Sequence, residues 1–354
     1  MDCLVITPHR LGIREMAERV GEEWGALGHD VDYILAKGAA ARVGTITIGV
    51  PGIALWWYRT LKEIAANHQQ YDLIWTHQPV APLLPTTDST FWNKVIATTH
   101  TTLHREYELV REGVYPTRLL PYYWLAKTGE AHFHQSLATI DAAGPHYTVV
   151  SPHLRDEINQ FGIETSTYIP NGVFTPEADS FEPIRSKYGI PETATLVFNI
   201  GSLTPQKRPE VCAQHLRAAA ETLDDTYVVM AGDGPLREAV SSHASESLRV
   251  IGYVSENEKW RWFSDADIFA SLSAYEGMPV ATAEALSFNL PVVLSDIPSH
   301  RHLVETYDAA GSLITDDTAE IAKAIATHRN ERSAVSLPSW PAVAEQYLEI
   351  IQQR

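Results

Sequence analysis

Short apolar runs recur along this chain, and most are followed by a stretch whose apolar residues fall at helical spacing. Leu4-Val5-Ile6 precedes Ile13 to Leu27, where Met16, Val20, Trp24 and Leu27 share one face. Gly28-His29 ends that helix, and Val31 to Leu35 resumes an extended run. After a Gly/Ala-rich loop, Ile53 to Ala66 has the helical period. Leu73-Ile74-Trp75-Thr76, Lys94 to Thr99 and Tyr147 to Val150 are further strands. Strands buried on both faces lose the polar alternation of an open sheet, and parallel strands need a long crossover between them. The pattern therefore predicts an α/β chain built on doubly wound parallel sheets.

The same grammar restarts in the second half. Leu196 to Ile200 is a strand and Pro209 to Thr222 a helix. Tyr227 to Ala231 is a strand closed by Gly232-Asp233-Gly234-Pro235. Leu248 to Ile251 and Ile268 to Ser271 flank a helix around Trp260. Thr282 to Phe288 is a helix, Val292-Val293-Leu294 a strand, and Trp340 to Ile351 a last helix. The strongest turn signal between the halves is Pro170-Asn171-Gly172, which places the joint after residue 172. A chain of 354 residues suits two such domains.

Several function classes are excluded early. Lys+Arg 27 against Asp+Glu 44 gives a net charge of −17, which opposes a protein that coats nucleic acid. Cys3 and Cys212 make neither a disulfide framework nor a zinc site. Met1-Asp2-Cys3 lacks the basic start of a signal peptide. Val43 to Tyr58 is apolar but broken by Gly44, Gly49, Pro51 and Gly52, and too short to span a bilayer. A cytoplasmic protein is expected, peripheral to a membrane at most.

The most informative stretch is Tyr275-Glu276-Gly277-Met278-Pro279-Val280-Ala281-Thr282-Ala283-Glu284-Ala285. Two glutamates flank a glycine turn that opens a helix after a strand. Free backbone N–H groups at such a helix start suit a phosphate. Glu276 stands at the strand end and Glu284 about two turns into the helix.

At these residues the chain resembles the retaining glycosyltransferases of family 4, which have the GT-B fold. Further blocks in the matching order carry the resemblance. They are Ile169-Pro170-Asn171-Gly172-Val173, Asn199 to Arg208, Ala231 to Leu236, Asp267-Ile268-Phe269 and Leu290 to Asp296. The resemblance implies two Rossmann-like domains facing a cleft, 1–172 on the acceptor side and 173–338 for a nucleotide-sugar donor. Residues 339–354 would form a helix packing back towards the first domain. Lys207 would grip the donor diphosphate, Glu276 would contact hydroxyls of the transferred sugar, and Glu284 would accept from the ribose hydroxyls. A fixed cation at a departing diphosphate, and a carboxylate that accepts twice, fit those tasks. Gly277, Met278 and Val280 would offer N–H groups to phosphate, whereas Pro279 has none.

The match departs from the family in places. Gly201-Ser202 stands where the family usually has Gly-Arg, so Ser202 offers only a hydroxyl and Arg208 is the candidate substitute. His302 stands where a glutamate is common. Leu11-Gly12 replaces a double-glycine loop, with Gly12 permitting close backbone approach to a ligand. His100, at the end of Val95-Ile96-Ala97-Thr98-Thr99, matches the family histidine near donor sugar and acceptor. His77 also ends a strand, and His9-Arg10 lies in the first loop.

The resemblance implies transfer of a hexose-type sugar to a hydroxyl acceptor on one face of the sugar, with the departing phosphate helping to deprotonate the acceptor. No N-domain carboxylate stands out as a nucleophile beneath the anomeric carbon. No metal and no cofactor beyond the nucleotide-sugar substrate is expected, since Asp265-Ala266-Asp267 has the look of a helix end. Trp56-Trp57-Tyr58-Arg59 and Leu120 to Lys127 set aromatics beside bases, which suits a lipid-linked acceptor at a membrane surface or plain helix packing. A nucleotide-sugar epimerase of the same fold and an inactive binding protein are the competing readings.

Overall fold

The computed structural model describes the chain apart from residues 8–10, 36–40, 44–45, 49–59, 61–63, 65, 79–88, 139–143, 175–180, 333 and 354. The helix expected over Ile53 to Ala66 therefore lies largely outside the described residues, as do His9-Arg10 and the Trp56 cluster. Two compact units emerge. The first takes in Met1–Arg111, Pro116–Gly172 and Pro338–Arg354, and the second Glu112–Tyr115 and Val173–Leu337.

In the first unit the strands are β1 (Asp2–Thr7), β2 (Asp30–Leu35), β3 (Ala41–Val43), β4 (Ile46–Ile48), β5 (Leu73–Gln78), β6 (Val95–Thr99), β7 (His146–Val149) and β8 (Thr167–Tyr168). Six of them form one parallel sheet in the order β2-β1-β5-β6-β7-β8. β3 and β4 pair antiparallel in a region whose Gly/Ala content had suggested a loop. β-Branched Thr47 and Ile48 favour the extended state there. β8, too short for any periodicity to show, extends the sheet edge.

The last helix, Trp340–Gln352, belongs to this first unit. Trp24 Nε1 donates to the Ala344 carbonyl at 3.0 Å. The Tyr347 ring lies 4.6 Å from that of Trp75, and the Tyr347 hydroxyl closes on Thr98 at 3.4 Å. Trp75 Nε1 also donates to Thr98 Oγ1, so the buried polar tips all find partners. Gly172 is where the returning chain passes: a Cβ there would meet Trp340 at 2.6 Å. The Asn-Gly turn thus serves a close crossing of two chain segments.

The second unit has β9 (Thr195–Ile200), β10 (Thr226–Ala231), β11 (Leu248–Gly252), β12 (Ile268–Ser271), β13 (Val292–Ser295) and β14 (Gly311–Ile314). All are parallel, in the order β11-β10-β9-β12-β13-β14. Alternation along each strand feeds two cores. Leu196 and Phe198 pack with Trp262, Phe263 and Leu286 on one face, while Val197 packs with Leu216, Ala219 and Ile321 on the other. The strand order reverses between β9 and β12. Loops leaving the carboxyl ends of strands at such a point form a crevice where ligands bind in α/β folds.

Asp265 and Asp267 hold Arg185, which is 5% exposed. Arg185 Nε meets Asp265 Oδ1 and its Nη2 meets Asp267 Oδ2, each at 2.9 Å. The remaining carboxylate capacity is taken by the backbone N–H groups of Ile184, Arg185 and Leu196. Among the described residues no group of three or more His, Cys, Asp or Glu is placed to hold a metal ion, and no helix is long and apolar enough to cross a membrane.

Candidate active site

The loops after β9 and β12 run side by side because their strands are hydrogen-bonded neighbours. The first makes a single turn at Pro205–Lys207. It is zipped to the second by Ala274 N donating to the Gln206 carbonyl and Gln206 Nε2 donating to the Tyr275 carbonyl, both at 2.9 Å. Lys207 is thereby carried onto Glu276. Its Nζ lies 2.5 Å from both carboxylate oxygens, and Ser273 Oγ donates to Oε1 at 2.8 Å. Glu276 is only 6% exposed, so the pair attracts across a poorly screened gap. His300 is fully buried nearby, with Nδ1 on the Ser295 carbonyl at 2.9 Å. Burial holds its pKa down, and the Glu276 carboxylate opposes that shift.

Lys207, Ser273 and Glu276 wall a cavity together with Asn199, Ser202, Ala281 and Thr282. Ala281 and Thr282 stand in the first turn of the helix Val280–Ser287, where backbone N–H groups have no carbonyl one turn back. The Val280 N–H, expected to face a phosphate, donates instead to the Met278 carbonyl at 3.0 Å. Pro279 at the N-cap shifts the helix start by its fixed φ, so the open donors fall one and two residues later. Gly277 and Met278 precede that turn.

Glu284, on the same helix, is 9% exposed, and its Oε1 accepts from Lys259 Nζ at 2.6 Å. Lys259 comes from the helix Glu256–Asp265 and lies 4.0 Å over the Trp260 ring. Ser202 lines the cavity, with Oγ 3.5 Å from Thr204 Oγ1. Arg208, the candidate substitute for the arginine missing there, is turned elsewhere. Its guanidinium grips Asp316 at 2.6 and 2.9 Å and donates to the Leu272 carbonyl at 2.8 Å. Gly232, from the Gly-Asp-Gly-Pro block, has φ +138, and a Cβ there would lie 1.9 Å from the Gly201 carbonyl oxygen. That block keeps its glycine so that the β10 loop can press against the β9 loop.

In the first unit His100 follows β6. The turn behind it is pinned by Glu130, whose carboxylate accepts from the Leu103 and His104 N–H groups at 3.0 Å. Thr102 Oγ1 accepts from Arg105 N at 3.0 Å. Burial pushes the Glu130 carboxyl up to about 8, against the pull of those two N–H bonds. Gly12 lies exposed in the first turn of the helix Leu11–Ala26, with nothing within 4 Å of a Cβ built on it. His302 contacts Thr306 Oγ1 at 3.0 Å along its own helix.

Two family profiles match the chain: "Glycosyltransferase Family 4" over residues 12–175 and "Glycosyl transferases group 1" over 180–333. The chain is a family-4 glycosyltransferase. The enzyme is 24% identical over 339 residues to a GDP-mannose-dependent α-(1-6)-phosphatidylinositol dimannoside mannosyltransferase of Mycobacterium tuberculosis, covering 90% of the chain and 84% of the relative. It is 28% identical over 216 residues to the putative teichuronic acid biosynthesis glycosyltransferase TuaC of Bacillus subtilis, covering 57% of the chain but half of that protein. Its fold matches sucrose-phosphate synthase from Thermosynechococcus elongatus with a TM-score of 0.73 at 16% identity, over 100% and 98% of the two chains. It matches WaaG, a glycosyltransferase of lipopolysaccharide biosynthesis, with a TM-score of 0.67 at 16% identity, over 99% and 95%. The two parallel-sheet units are those of the GT-B fold.

Sequence reasoning about this glycosyltransferase named Lys207, Glu276 and Glu284 but missed Lys259, Ser273 and the Ala281–Thr282 donors. Lys259 is one of several charged residues in an acidic-basic helix, and nothing in its neighbourhood along the chain ties it to Glu284, 25 residues on. Pro279 was the available signal for the displaced donors.

Proposed function

We propose that the enzyme transfers a hexose-type sugar from a nucleoside-diphosphate sugar to a hydroxyl acceptor with retention of anomeric configuration. The observation that carries this reading is the Lys207–Glu276 pair, set beside the first turn of the helix Val280–Ser287 in one cavity at the strand-order reversal. In the reaction the bond between the anomeric carbon and the diphosphate oxygen breaks, and a bond to the acceptor oxygen forms on the same face. Negative charge grows on the leaving diphosphate. Lys207 and the Ala281 and Thr282 N–H groups neutralise it from fixed positions, which lowers the barrier without reorganisation. Glu276, held by Ser273, accepts from sugar hydroxyls, and Glu284 accepts from the ribose. The acceptor proton passes to the departing phosphate oxygen. His100 in the first unit contacts a sugar or acceptor hydroxyl.

The phosphatidylinositol dimannoside in the name of the mycobacterial relative supports a lipid-borne acceptor at a membrane surface. Trp124, 55% exposed, and Leu125, 67% exposed, sit together on the helix Leu120–Ala138 and support that reading. Vesicle flotation with wild type and a Trp124→Ala/Leu125→Ser double variant tests it, and equal recovery of both with the vesicles would sink it.

A thermal-shift panel of nucleotides and nucleotide sugars, followed by NMR of the product's anomeric proton, tests the transfer reading. One nucleoside-diphosphate sugar is expected to raise the melting temperature and to be consumed only with acceptor present. Lys207→Ala and Glu276→Ala are each expected to lower turnover by about 10²-fold or more. Donor turnover without acceptor would favour an epimerase, and unchanged turnover in both variants would overturn the site assignment.

A further inference from the structure

His77 and His100 stand at the carboxyl ends of the neighbouring strands β5 and β6, where His77 pairs in register with Thr98. His77 Nδ1 and His100 Nε2 are 3.0 Å apart. Two imidazoles at this distance share one proton, so whichever ring donates decides the tautomer of both.

The surroundings of His77 decide which ring donates. Its side chain is fully buried, with its ring 4.3 Å from Trp75, and Trp75 is itself clamped to Thr98. Burial, reinforced by His100, keeps His77 neutral. Its second nitrogen, Nε2, has no hydrogen-bond partner among the described residues. A proton on Nε2 would leave a buried N–H without an acceptor, the arrangement folded proteins avoid most, whereas a bare ring lone pair is tolerated more often. The proton of His77 therefore belongs on Nδ1, where it is donated to His100 Nε2. His100, with Nε2 occupied as an acceptor, must carry its own proton on Nδ1.

We propose that His77 is a positioning residue that locks His100 in the Nδ1–H tautomer, so that His100 meets a substrate oxygen as a hydrogen-bond donor and not as a base. The consequence for substrate rests on the role given to His100 under Proposed function. The tautomer itself does not.

The test begins on the wild-type protein, labelled with 15N-histidine, with a His100→Gln spectrum to assign the signal. His100 is expected to show a protonated, pyrrole-type Nδ1 and an unprotonated, pyridine-type Nε2. The reverse pattern overturns the proposal whatever the activity. Kinetics supply the second reading. His77→Phe keeps the ring volume without the donor and is expected to lower kcat about tenfold, with donor KM within twofold. His77→Asn places an amide N–H near the old Nδ1 and is expected to recover most of that loss. Equal losses in both variants, or a loss in neither, overturn the donor role. An Nδ1–H signal in a protein that transfers no sugar overturns the glycosyl-transfer reading and leaves the tautomer assignment intact.

Discussion

Lys259 Nζ lies 2.6 Å from Glu284 Oε1, and both side chains are largely buried. The pair joins two helices that are separated in the chain by the strand β12. It keeps the Glu284 carboxylate in one orientation. Replacing Lys259 by Met removes the charge and keeps the apolar stem. A charge-assisted hydrogen bond of about 1.5 kcal/mol corresponds to roughly tenfold in affinity. Lys259→Met is therefore expected to raise donor KM about tenfold with kcat nearly unchanged. Steady-state kinetics against the donor checks this, and a fall in kcat at constant KM would contradict it.

Arg208 makes the opposite case. Its guanidinium is engaged by Asp316 and by the Leu272 carbonyl. It ties the loop after β12 to the segment after β14. Arg208 also has φ 44, a conformation that costs a non-glycine residue about 1 kcal/mol. Arg208→Gly, free of that strain but lacking the ion pair, should keep donor KM within threefold and change only the melting temperature. A tenfold rise in donor KM would instead show that Arg208 reaches the diphosphate.

Arg185 is buried between two aspartates, and removing it takes the guanidinium from Asp265 and leaves Asp267 with Arg332 at 3.6 Å. Breaking a buried ion pair by deleting one partner costs about 3–5 kcal/mol. Arg185→Met should therefore lower the melting temperature of the second unit by about 10 °C, at about 2–4 °C per kcal/mol for a domain of this size. Calorimetry measures it. A triple variant, Arg185→Met with Asp265→Asn and Asp267→Asn, should regain part of the loss.

His134 gives the first unit an acid limit. It is buried, stacked 5.0 Å from Phe161, with Nδ1 3.0 Å from the Tyr147 hydroxyl. Desolvation lowers its pKa from 6.5 to about 4. The folded state therefore binds its proton later than the unfolded state does. Its stability contribution is intact above pH 6.5, declines as pH falls through the window from 6.5 to about 4, and levels off below it. The shift corresponds to at most about 3 kcal/mol. Urea unfolding at pH 7.5, 5.5 and 4.5 should show the decline, and His134→Phe should flatten it. An unchanged slope in the variant would remove His134 as its cause.

Much of the architecture is legible in the sequence. Apolar runs separated by helical periods are what a parallel sheet with crossovers requires, and β1, β5, β6, β9, β10, β12 and β13 fall where those runs predict them. β8, β14 and the β3–β4 hairpin were not legible. They are short edge or satellite strands whose extended state depends on the strand beside them, and a few residues carry no period of their own. The turn motifs were legible as turns, but not as the close approaches of Gly172 to Trp340 and Gly232 to Gly201 that require them.

The candidate site divides in the same way. The resemblance to family 4, carried by motifs in matching order, singled out Lys207, Glu276, Glu284 and His100, and local pattern added only that His100 follows a strand and that Lys207 and Glu276 lie in turns before helices. Partnerships were another matter. That Lys207 meets Glu276, that Lys259 holds Glu284, that Arg208 turns to Asp316 and that His77 touches His100 all depend on which strands lie side by side. Strand order is set by packing the two apolar faces of a whole sheet, a long-range energy that no local window of sequence contains.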